Sequence, residues 1–353
     1  MLPYLLFVAL LLLFYGRKKP MQMMLAMGLF AVLRYDVGWD YVSYYELSSD
    51  PTALAIAQER YSALWYWLFE TAYNLRMPHL AIAVPAIVTY AFIYKAVDML
   101  FDKDKEHMCD ALLVYGLWPF FYLGSFSTIR QNLAMAIVLF IFALLYCRRW
   151  LWAALLYVFN FVVHPSSLVA IVLLPLFFIK RKIKWYWVAV AMVALLLLVG
   201  NWIDVITAIN IETFNEYAAT YEDFEGEFGG TLSLLLGAIA LFLAVVLIFD
   251  TKKSIWQYNV TCVVIMAFIA TIYIYSSDIP VVVTRIISYF NILLILVFFA
   301  ALRHIPQRQI LRMGLTVMLV GLFFFYLQRT NVGAAQGLGT SGYLPYKTII
   351  NQR

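Results

Sequence analysis

Four basic side chains lie inside or at the edge of long apolar runs, where a membrane disfavours charge. They are Arg34, Arg130, His164 and Arg285. An arginine at membrane depth is unfavourable by about 2.5–3.5 kcal/mol on insertion scales, so one that is retained there usually has a function. Guanidinium groups donate forked hydrogen bonds that match phosphate, and they stay charged at every physiological pH. If these side chains meet at one face of the membrane, we expect them to bind a lipid-linked phosphate or pyrophosphate.

The histidine is a second candidate for chemistry. His164 lies in a turn, directly before Pro165, Ser166 and Ser167. Because histidine titrates near neutral pH, His164 could act as a general base or donate a hydrogen bond to phosphate. The alternative is an interfacial histidine whose hydrogen bonds are satisfied by its neighbours. Ser166 and Ser167 fit a helix cap better than a nucleophile, since no glycine pattern of a nucleophile elbow surrounds them.

The segment 34–45 has the composition of a sugar-binding surface. It combines Arg34 with Asp36, Asp40 and four tyrosines. Sugar rings present C–H surfaces that stack on aromatic side chains and hydroxyls that donate to carboxylates. Tyrosine is also common at any membrane interface, so the aromatic part is weak evidence by itself. The acidic and aromatic stretch 212–228 has the same character and is either a lid over substrate or a solvated loop.

Composition defines the class of protein that must position these residues. Of 353 residues, 65% are hydrophobic and only 13% are charged, whereas soluble domains carry about 25% charged residues. The apolar runs are too long and continuous for the strands of a membrane barrel, and helices satisfy their own backbone hydrogen bonds in lipid. The predicted fold class is therefore all-α, with many helices crossing the membrane.

Loop charge predicts the topology. Most of the 25 Lys and Arg residues fall in six short clusters, which the positive-inside bias places in the cytoplasm. The segment 204–231 carries seven acids and no Lys or Arg, which places it outside. The parity of the spans then predicts about twelve transmembrane helices with both termini outside. The net charge of +5 follows from these loops, so we expect no nucleic-acid partner.

One segment would disturb this count if it crossed the membrane. Residues 60–75 are charged at intervals and rich in Trp and Tyr, which predicts an amphipathic helix at the outer interface. The chain 1–353 is then a single transmembrane domain with outer loops at about 35–78 and 204–231. This topology rests on loop charges alone, yet it places the four basic residues at the outer ends of spans, where Arg329 joins them.

Several motifs together resemble the EpsG-type branch of the Wzy-like polysaccharide polymerases. They follow one another over nearly the whole chain: Arg34-Tyr35-Asp36-Val37-Gly38-Trp39-Asp40-Tyr41, Ile129-Arg130-Gln131-Asn132-Leu133-Ala134, His164-Pro165-Ser166-Ser167, Arg285-Ile286-Ile287-Ser288-Tyr289-Phe290 and Leu344-Pro345-Tyr346-Lys347. That family is similar to other multi-span glycosyltransferases of the C type, which use polyprenyl-linked sugar donors on the outer face. The resemblance implies that a growing glycan on undecaprenyl pyrophosphate is transferred to the non-reducing sugar of a new lipid-linked repeat unit. Undecaprenyl pyrophosphate is released, and the product is exopolysaccharide, capsule or O-antigen made at the bacterial inner membrane.

The resemblance and the arginines together suggest a mechanism. Arg130 and Arg285, with Arg34, would bind the pyrophosphate and stabilise the charge on the leaving group, and His164 or Asp40 would accept the proton of the attacking hydroxyl. The catalytic candidates are therefore His164, Asp40 and Arg130. The substrate-binding candidates are Arg34, Asp36, Arg130, Gln131, Arg285, Tyr289 and Arg329. We expect no metal or other cofactor, because the carboxylates lack metal-ligand spacing and arginines can neutralise the pyrophosphate.

Three other functions fit parts of the sequence. A lipid-linked glycan ligase shares the donor and differs only in the acceptor. A flippase or other transporter for lipid-linked anionic glycans is a second alternative, although transporters usually carry charges near the midplane and these spans carry few. A membrane acyltransferase would need a cytoplasmic pair such as His107 and Asp110. A polymerase would have membrane lipids, a flippase and a chain-length regulator as its partners.

Overall fold

Two compact units make up the structure, a computed structural model that describes residues 1–201, 229–249, 254–276, 282–302, 308–334 and 342–351. The first unit contains Met1–Leu168 and Gln309–Arg353, and the second contains Val169–Arg308. The described part of the chain is almost entirely helical, which confirms the all-α prediction. The expectation that the chain forms one transmembrane domain stays a prediction.

The first unit begins with a series of helices whose starts follow ordinary sequence signals. They are α1 (Leu2–Gly16), α2 (Pro20–Leu33), α3 (Asp40–Leu47), α4 (Pro51–Arg60), α5 (Ala63–Asn74), α6 (Leu80–Leu100), α7 (Lys105–Leu117), α8 (Gly124–Ser127), α9 (Ile129–Tyr146) and α10 (Trp150–Val163). Asp50 caps α4 by accepting the N–H of Thr52 at 3.2 Å, and Asp104 caps α7 in the same way. Pro20 occupies the first position of α2. A backbone N–H there would have no partner within the helix, so proline loses no hydrogen bond at this position.

Helix α9 forms the centre of the first unit. Its side chains are buried on nearly every face, and it packs against both α6 and α10. A helix that is apolar and buried all round belongs to the interior of a bundle. Its first two residues are Ile129 and Arg130. Arg130 therefore lies at one end of the helix that forms the core of the unit.

The second unit is reached through a 3-10 helix, Pro165–Phe177. Its other elements are α11 (Trp185–Gly200), α12 (Gly229–Phe249), α13 (Ile255–Tyr275), α14 (Val282–Asn291), α15 (Leu294–Val297) and a short 3-10 helix, Ala300–Leu302. Helices α11, α13 and α14 pack around Val199, Ala270 and Ile287.

The chain then returns to the first unit. Helix α16 (Arg308–Ala334) is followed, after residues outside the described part, by the strand β2 (Lys347–Thr348) and a 3-10 turn, Ile349–Asn351. Strand β2 pairs antiparallel with β1 (Arg34–Tyr35), so the end of the chain lies against the residues that follow α2.

The 3-10 geometry of Pro165–Phe177 changes how far a short segment reaches. The segment has 13 residues, which extend about 26 Å as a 3-10 helix but only about 20 Å as an α-helix. The hydrocarbon core of a bilayer is about 30 Å thick. A 3-10 helix of this length therefore comes closer to that thickness than an α-helix would, and the crossing of the membrane by this segment stays a prediction.

The protein is embedded in the membrane through its apolar helices. Four described helices are long and apolar enough to cross: Leu80–Leu100, Ile129–Tyr146, Ile255–Tyr275 and Arg308–Thr330. Seven shorter apolar helices accompany them: Leu2–Gly16, Pro20–Leu33, Trp150–Val163, Pro165–Phe177, Trp185–Gly200, Leu234–Leu247 and Val283–Val297. The figure of about twelve spans and the outer location of both termini stay predictions.

The predicted outer loop 35–78 is built from three short helices, α3 to α5. Helix α5 buries Trp65 and Phe69 and exposes Trp67, the two-sided character expected of an amphipathic helix in 60–75. Its place at a membrane interface stays a prediction. The second predicted outer loop, 204–231, lies almost wholly outside the described residues.

Basic residues gather at one end of the first unit. The hydroxyl of Tyr15 donates to Oδ1 of Asp110 at 2.9 Å, and Nε of Arg312 donates to the same oxygen at 3.1 Å. Nζ of Lys18 lies 2.7 Å from Oε2 of Glu106. These contacts join the end of α1 to the starts of α7 and α16, and we call this region the basic end. The location of the basic end at the cytoplasmic face of the membrane stays a prediction.

Candidate functional site

Arg34 directly follows α2 and is enclosed by protein, with 1% of its surface exposed. Nη1 donates to the carbonyl of Ala31 at 3.2 Å, and the guanidinium carbon lies 4.4 Å from the ring centre of Phe126. Among the described residues, Nε and Nη2 meet no hydrogen-bond acceptor. These two groups form one edge of the guanidinium, which can bind a carboxylate or phosphate through two parallel hydrogen bonds. Arg34 thus carries an anion-binding edge inside the protein.

Tyrosine side chains surround this guanidinium. Those close enough to interact with it electrostatically include Tyr41, Tyr90, Tyr122 and Tyr346. The hydroxyl of Tyr122 donates to the carbonyl of Met27 at 2.9 Å. The hydroxyls of Tyr90 and Ser125 share a hydrogen bond of 2.9 Å. Because these hydroxyls are engaged elsewhere and remain neutral, they enclose the charge of Arg34 without cancelling it.

The chain turns sharply after Arg34. Asp36 has φ of 49° and Gly38 has φ of 95°. A Cβ on Gly38 would lie 2.2 Å from the carbonyl oxygen of Phe126, so only glycine fits this approach. Oδ2 of Asp36 forms an ion pair with Nζ of Lys347 at 2.5 Å. The turn is thereby held against α8 on one side and against the end of the chain on the other.

Asp40 connects this turn to the central helix. Its Oδ2 accepts the backbone N–H of Ile129 at 2.9 Å. One residue earlier, the N–H of Trp39 donates to Oγ of Ser127 at 3.2 Å. A carboxylate at the start of a helix satisfies a free N–H group and interacts favourably with the helix dipole. The structure therefore gives Asp40 a capping role, and its predicted role as a base stays a prediction.

Arg130 is half-buried at the first turn of α9. Its guanidinium carbon lies 4.5 Å from the ring centre of Tyr61, a cation–π contact. Tyr44 is a further neighbour: burial raises the pKa of its hydroxyl well above the usual value, and Arg130 acts in the opposite direction. Gln131, the next residue, is buried. The aromatic rings hold the guanidinium of Arg130 at the end of the unit.

His164 follows the last residue of α10 and is half-buried. Its Nδ1 lies 2.7 Å from Oγ of Ser166, and its backbone N–H donates to the carbonyl of Asn160 at 2.9 Å. The backbone hydrogen bond closes the last turn of α10, and the contact with Ser166 orients the imidazole ring. The serine is therefore a partner of the histidine, as well as a residue of the turn.

Helix α5 links His164 to Arg130. Oγ of Ser62 donates to the carbonyl of Val162 at 2.9 Å, and Nε1 of Trp65 donates to the carbonyl of Val163 at 2.9 Å. These are carbonyls of the last turn of α10, which otherwise need partners. Tyr61, the residue before Ser62, is the one that stacks on Arg130. The start of α5 thus connects the start of α9 to the end of α10.

Asn160, a buried polar residue near His164, was missed by the sequence analysis. Nδ2 of Asn160 donates to the carbonyl of Ala134 at 3.1 Å, one helical turn below Arg130. Oδ1 of Asn160 and Oγ of Ser167 are buried, and among the described residues neither has a hydrogen-bond partner. The interruption of the apolar run of α10 by an asparagine was the available signal.

His79 was also missed. Its Nδ1 lies 3.0 Å from the hydroxyl of Tyr41, and its Nε2 lies 2.5 Å from the carbonyl oxygen of Val32. A carbonyl can only accept, so Nε2 carries the proton and Tyr41 donates to Nδ1. Burial, together with the nearby charge of Arg34, lowers the pKa of His79. The neutral imidazole thus ties α3 to the end of α2.

The first unit brings together most of the predicted site residues. We call Arg34, Asp36, Asp40, Arg130 and His164 the polar centre. All five lie at the end of the unit opposite the basic end, and Gln131 lies beside them. Their side chains are held by α5, α8 and the end of the chain.

The remaining predicted residues belong to two other helices. Arg285 and Tyr289 are on α14 of the second unit, where Arg285 is half-buried and Tyr289 is fully buried. Arg329 is exposed on α16, one turn after Tyr326, whose ring centre lies 6.1 Å from that of Tyr343. A meeting of Arg285 with the polar centre stays a prediction.

Within the ranges that the structure describes, no three His, Cys, Asp or Glu side chains are grouped to hold a metal ion. A metal-independent reaction stays a prediction. The acidic stretch 212–228 lies outside the described residues.

The comparison with known families is informative for nearly the whole chain. The sequence model of the EpsG family matches residues 21–348, a range that includes every residue of the polar centre. No curated protein and no solved structure gives a significant match.

Proposed function

The chain belongs to the EpsG family, and from this membership we propose that it is a membrane glycosyltransferase that polymerises lipid-linked oligosaccharide repeat units. Membership supports a polysaccharide polymerase-like function. The proposed donor is a growing glycan on undecaprenyl pyrophosphate, and the acceptor is a new repeat unit on the same lipid. The reaction takes place at the outer face of the bacterial inner membrane and supplies exopolysaccharide, capsule or O-antigen.

The observation that carries the proposal is the enclosed charge of Arg34, at the same end of the unit as Arg130. A guanidinium held inside a protein without an acidic partner is unfavourable, and an anionic ligand offsets much of that penalty. The surroundings of Arg34 also screen its charge poorly, which strengthens its effect on a nearby leaving group. A pyrophosphate is the anion that a lipid-linked glycan brings to such a site.

Arg130 makes the direct contact with the pyrophosphate in this proposal. It is half-buried at the start of α9, so part of its side chain can be reached by a ligand. Arg34 stabilises the same negative charge from its buried position. Its Nε–Nη2 edge donates to a phosphate oxygen of the bound pyrophosphate. Arg329 contributes further positive charge, and Asp36 and Gln131 bind sugar hydroxyls.

His164 is the proposed general base. The acceptor hydroxyl attacks the anomeric carbon of the donor, and the bond from that carbon to the pyrophosphate oxygen breaks. The hydroxyl proton passes to a ring nitrogen of His164, whose orientation is set by Ser166. Asp40 is the other candidate, but one of its oxygens is already engaged as the cap of α9. Undecaprenyl pyrophosphate leaves with the electron pair of the broken bond, and no metal is required.

Other contacts engage the candidate pair of the acyltransferase alternative, His107 and Asp110. Nδ1 of His107 lies 2.7 Å from Oδ2 of Asp104. Asp110 instead accepts hydrogen bonds from Arg312 and Tyr15. The two residues thus have separate partners at the basic end.

Reconstitution tests the proposed function. Purified protein in detergent is incubated with repeat units linked to undecaprenyl pyrophosphate, and the products are resolved on a gel. A polymerase gives a ladder of products with regular spacing and releases undecaprenyl pyrophosphate. A ligase gives a product only when a second acceptor is supplied. A flippase or transporter gives neither, and a featureless lane with both substrates present would exclude polymerase activity.

Membrane lipids, a flippase and a chain-length regulator are the proposed partners in the cell.

A further inference from the structure

We propose that the C-terminal residues 342–351, which we call the tail segment, complete the polar centre and that Lys347 and Tyr346 are positioning residues for Asp36 and Arg34. This inference rests on the proposed function for its chemistry. Its structural basis is a set of contacts that join the end of the chain to residues more than 200 positions earlier.

Backbone pairing sets the register of the tail segment. Strand β2 lies antiparallel to β1, with Thr348 opposite Arg34 and Lys347 opposite Tyr35. The ladder is only two residues long, and so short a pair is not stable alone. Side-chain contacts must therefore hold it in place.

Tyr346 supports the helix end from which Arg34 emerges. Its hydroxyl donates to the carbonyl of Phe30, and the two ring centres lie 4.0 Å apart. The last carbonyls of a helix lack partners within the helix. In α2 the carbonyl of Ala31 is bound by Arg34 and that of Val32 by His79. Tyr346 adds a third side chain to this arrangement and fixes the base of the Arg34 side chain.

Lys347 holds the turn after Arg34. Its Nζ lies 2.5 Å from Oδ2 of Asp36, a residue whose φ of 49° is uncommon for a side chain with a Cβ. The lysine side chain is 41% exposed, and ion pairs of that kind contribute little to global stability. The pair is therefore suited to fixing the local conformation of Asp36, rather than to stabilising the whole fold.

Tyr343 extends the same contacts to the other side of the polar centre. Its carbonyl accepts the hydroxyl of Tyr4 at 2.8 Å, and its own hydroxyl shares a hydrogen bond of 2.8 Å with Oγ of Ser127. Ser127 also accepts the N–H of Trp39. The tail segment thus touches the stretch after α2, which carries Arg34, and the stretch directly before α9, the helix that carries Arg130.

The consequence for the reaction is geometric. Charge stabilisation depends on donors placed where charge develops, and a displacement of about 1 Å can lower a rate by about 100-fold. If the tail segment fixes Arg34 and Asp36 relative to Arg130, its loss should lower turnover while the helices stay folded.

The test uses the full chain with one substitution in the tail segment. Lys347→Met removes the ion pair and keeps an unbranched apolar stem, and Lys347→Arg restores a cation of similar length. Lys19→Met is the matched control, since Lys19 is an exposed lysine near the basic end. Turnover and KM are measured with lipid-linked repeat units. Thermal unfolding in detergent and hydrogen exchange of the amides at 34–41 and 126–130 are measured on the same samples.

We expect Lys347→Met to lower kcat at least about tenfold, with a KM within about threefold of the parent and an unchanged melting temperature. Exchange at 34–41 should rise, Lys347→Arg should recover most of the turnover, and Lys19→Met should match the parent. Parental turnover and parental exchange in Lys347→Met would overturn the inference. So would a melting temperature that falls in step with activity, because the tail segment would then be structural only. A parent protein that makes no polymer would refute the proposed function instead, and the exchange at 34–41, which requires no turnover, would still decide the role of the tail segment.

Discussion

Oδ2 of Asp40 lies 2.9 Å from the backbone nitrogen of Ile129, so a carboxylate at the start of α3 caps α9 across 89 residues of sequence. The residue that locally precedes α9, Thr128, provides no side-chain cap. The start of the central helix, and with it the direction of Arg130, thus depends on a residue of the first predicted outer loop. Capping requires only a side-chain oxygen that accepts a hydrogen bond, whereas a general base requires an ionised carboxylate.

Asp40→Asn and Asp40→Ala separate these two roles. Asparagine is as good a helix cap as aspartate, whereas alanine loses about 0.5–2 kcal/mol of stability. We expect the asparagine variant to keep the parental melting temperature and to make polymer, and the alanine variant to unfold at lower temperature and to make less. Polymer ladders and melting curves in detergent measure both effects. If Asp40→Asn abolishes polymer while it melts like the parent, the carboxylate charge is essential and Asp40 replaces His164 as the proposed base.

Arg130→Ala should abolish polymer formation while the protein still inserts in the membrane. Removal of one donor to a developing anion lowers turnover by about 100- to 1,000-fold. Arg149→Ala is the control, since Arg149 is an exposed arginine that directly precedes α10. The amount of protein in the membrane fraction and the polymer ladder are compared for both variants. A parental ladder from Arg130→Ala would remove this residue from the proposed site.

The ends of the helices that carry the arginines could be predicted from the sequence. The apolar run before Arg34 ends with α2 at Leu33, and α9 begins at Ile129, directly before Arg130. The aromatic segment 60–75 also contains a separate short helix, as its mixed composition indicated. These features are local, because hydropathy and helix-start signals act over a few residues.

The contacts that assemble the polar centre could not be predicted in the same way. Lys347 reaches Asp36 across 311 residues, and His79 reaches Tyr41 across 38. Neither pair leaves a periodic pattern, because a polar contact between distant segments is set by packing and not by local propensity. The end of the chain contributed only a motif to the family resemblance. A motif does not identify the residues that Tyr346 and Lys347 contact.

His164→Ala and Ser166→Ala should lower turnover to different extents. Loss of a general base typically lowers a rate by about 100- to 10,000-fold. Ser166 acts on the imidazole through one ring nitrogen in the proposed role, so its loss should have a smaller effect that is seen in kcat more than in KM. Turnover of both variants is measured with saturating lipid-linked acceptor. Equal losses in the two variants, or a fully active His164→Ala, would contradict the assignment of His164 as the base.

The pH dependence of the first unit should report on His79. Burial lowers the pKa of this imidazole below its unfolded value of 6.5. The neutral form is therefore favoured by folding, and its stabilising effect is complete above pH 6.5 and declines as the pH falls towards the lowered pKa. We expect the protection factors of the amides at 34–41, which correct for the intrinsic pH dependence of exchange, to fall as the pH is lowered from about 7 to about 5. His79→Gln, which keeps a donor for the carbonyl of Val32, should remove much of that dependence; an unchanged pH profile would show that another group controls it.

Gly38→Ala tests whether the close approach of the first predicted outer loop to α8 is needed. Gly38 has φ of 95°, and a Cβ there would lie 2.2 Å from the carbonyl oxygen of Phe126, which as backbone has little freedom to move. Strain of this kind amounts to about 1–3 kcal/mol, before the clash is counted. We expect a lower melting temperature and loss of polymer, because the turn that carries Asp36 and Asp40 would be displaced. Gly28→Ala is the matched control: its Cβ would meet only Cδ2 of Tyr90 at 3.9 Å inside α2, where alanine is favoured over glycine by about 0.5–1 kcal/mol. Equal melting temperatures and equal polymer yields for the two variants would mean that the turn at Gly38 tolerates displacement and that the polar centre does not depend on it.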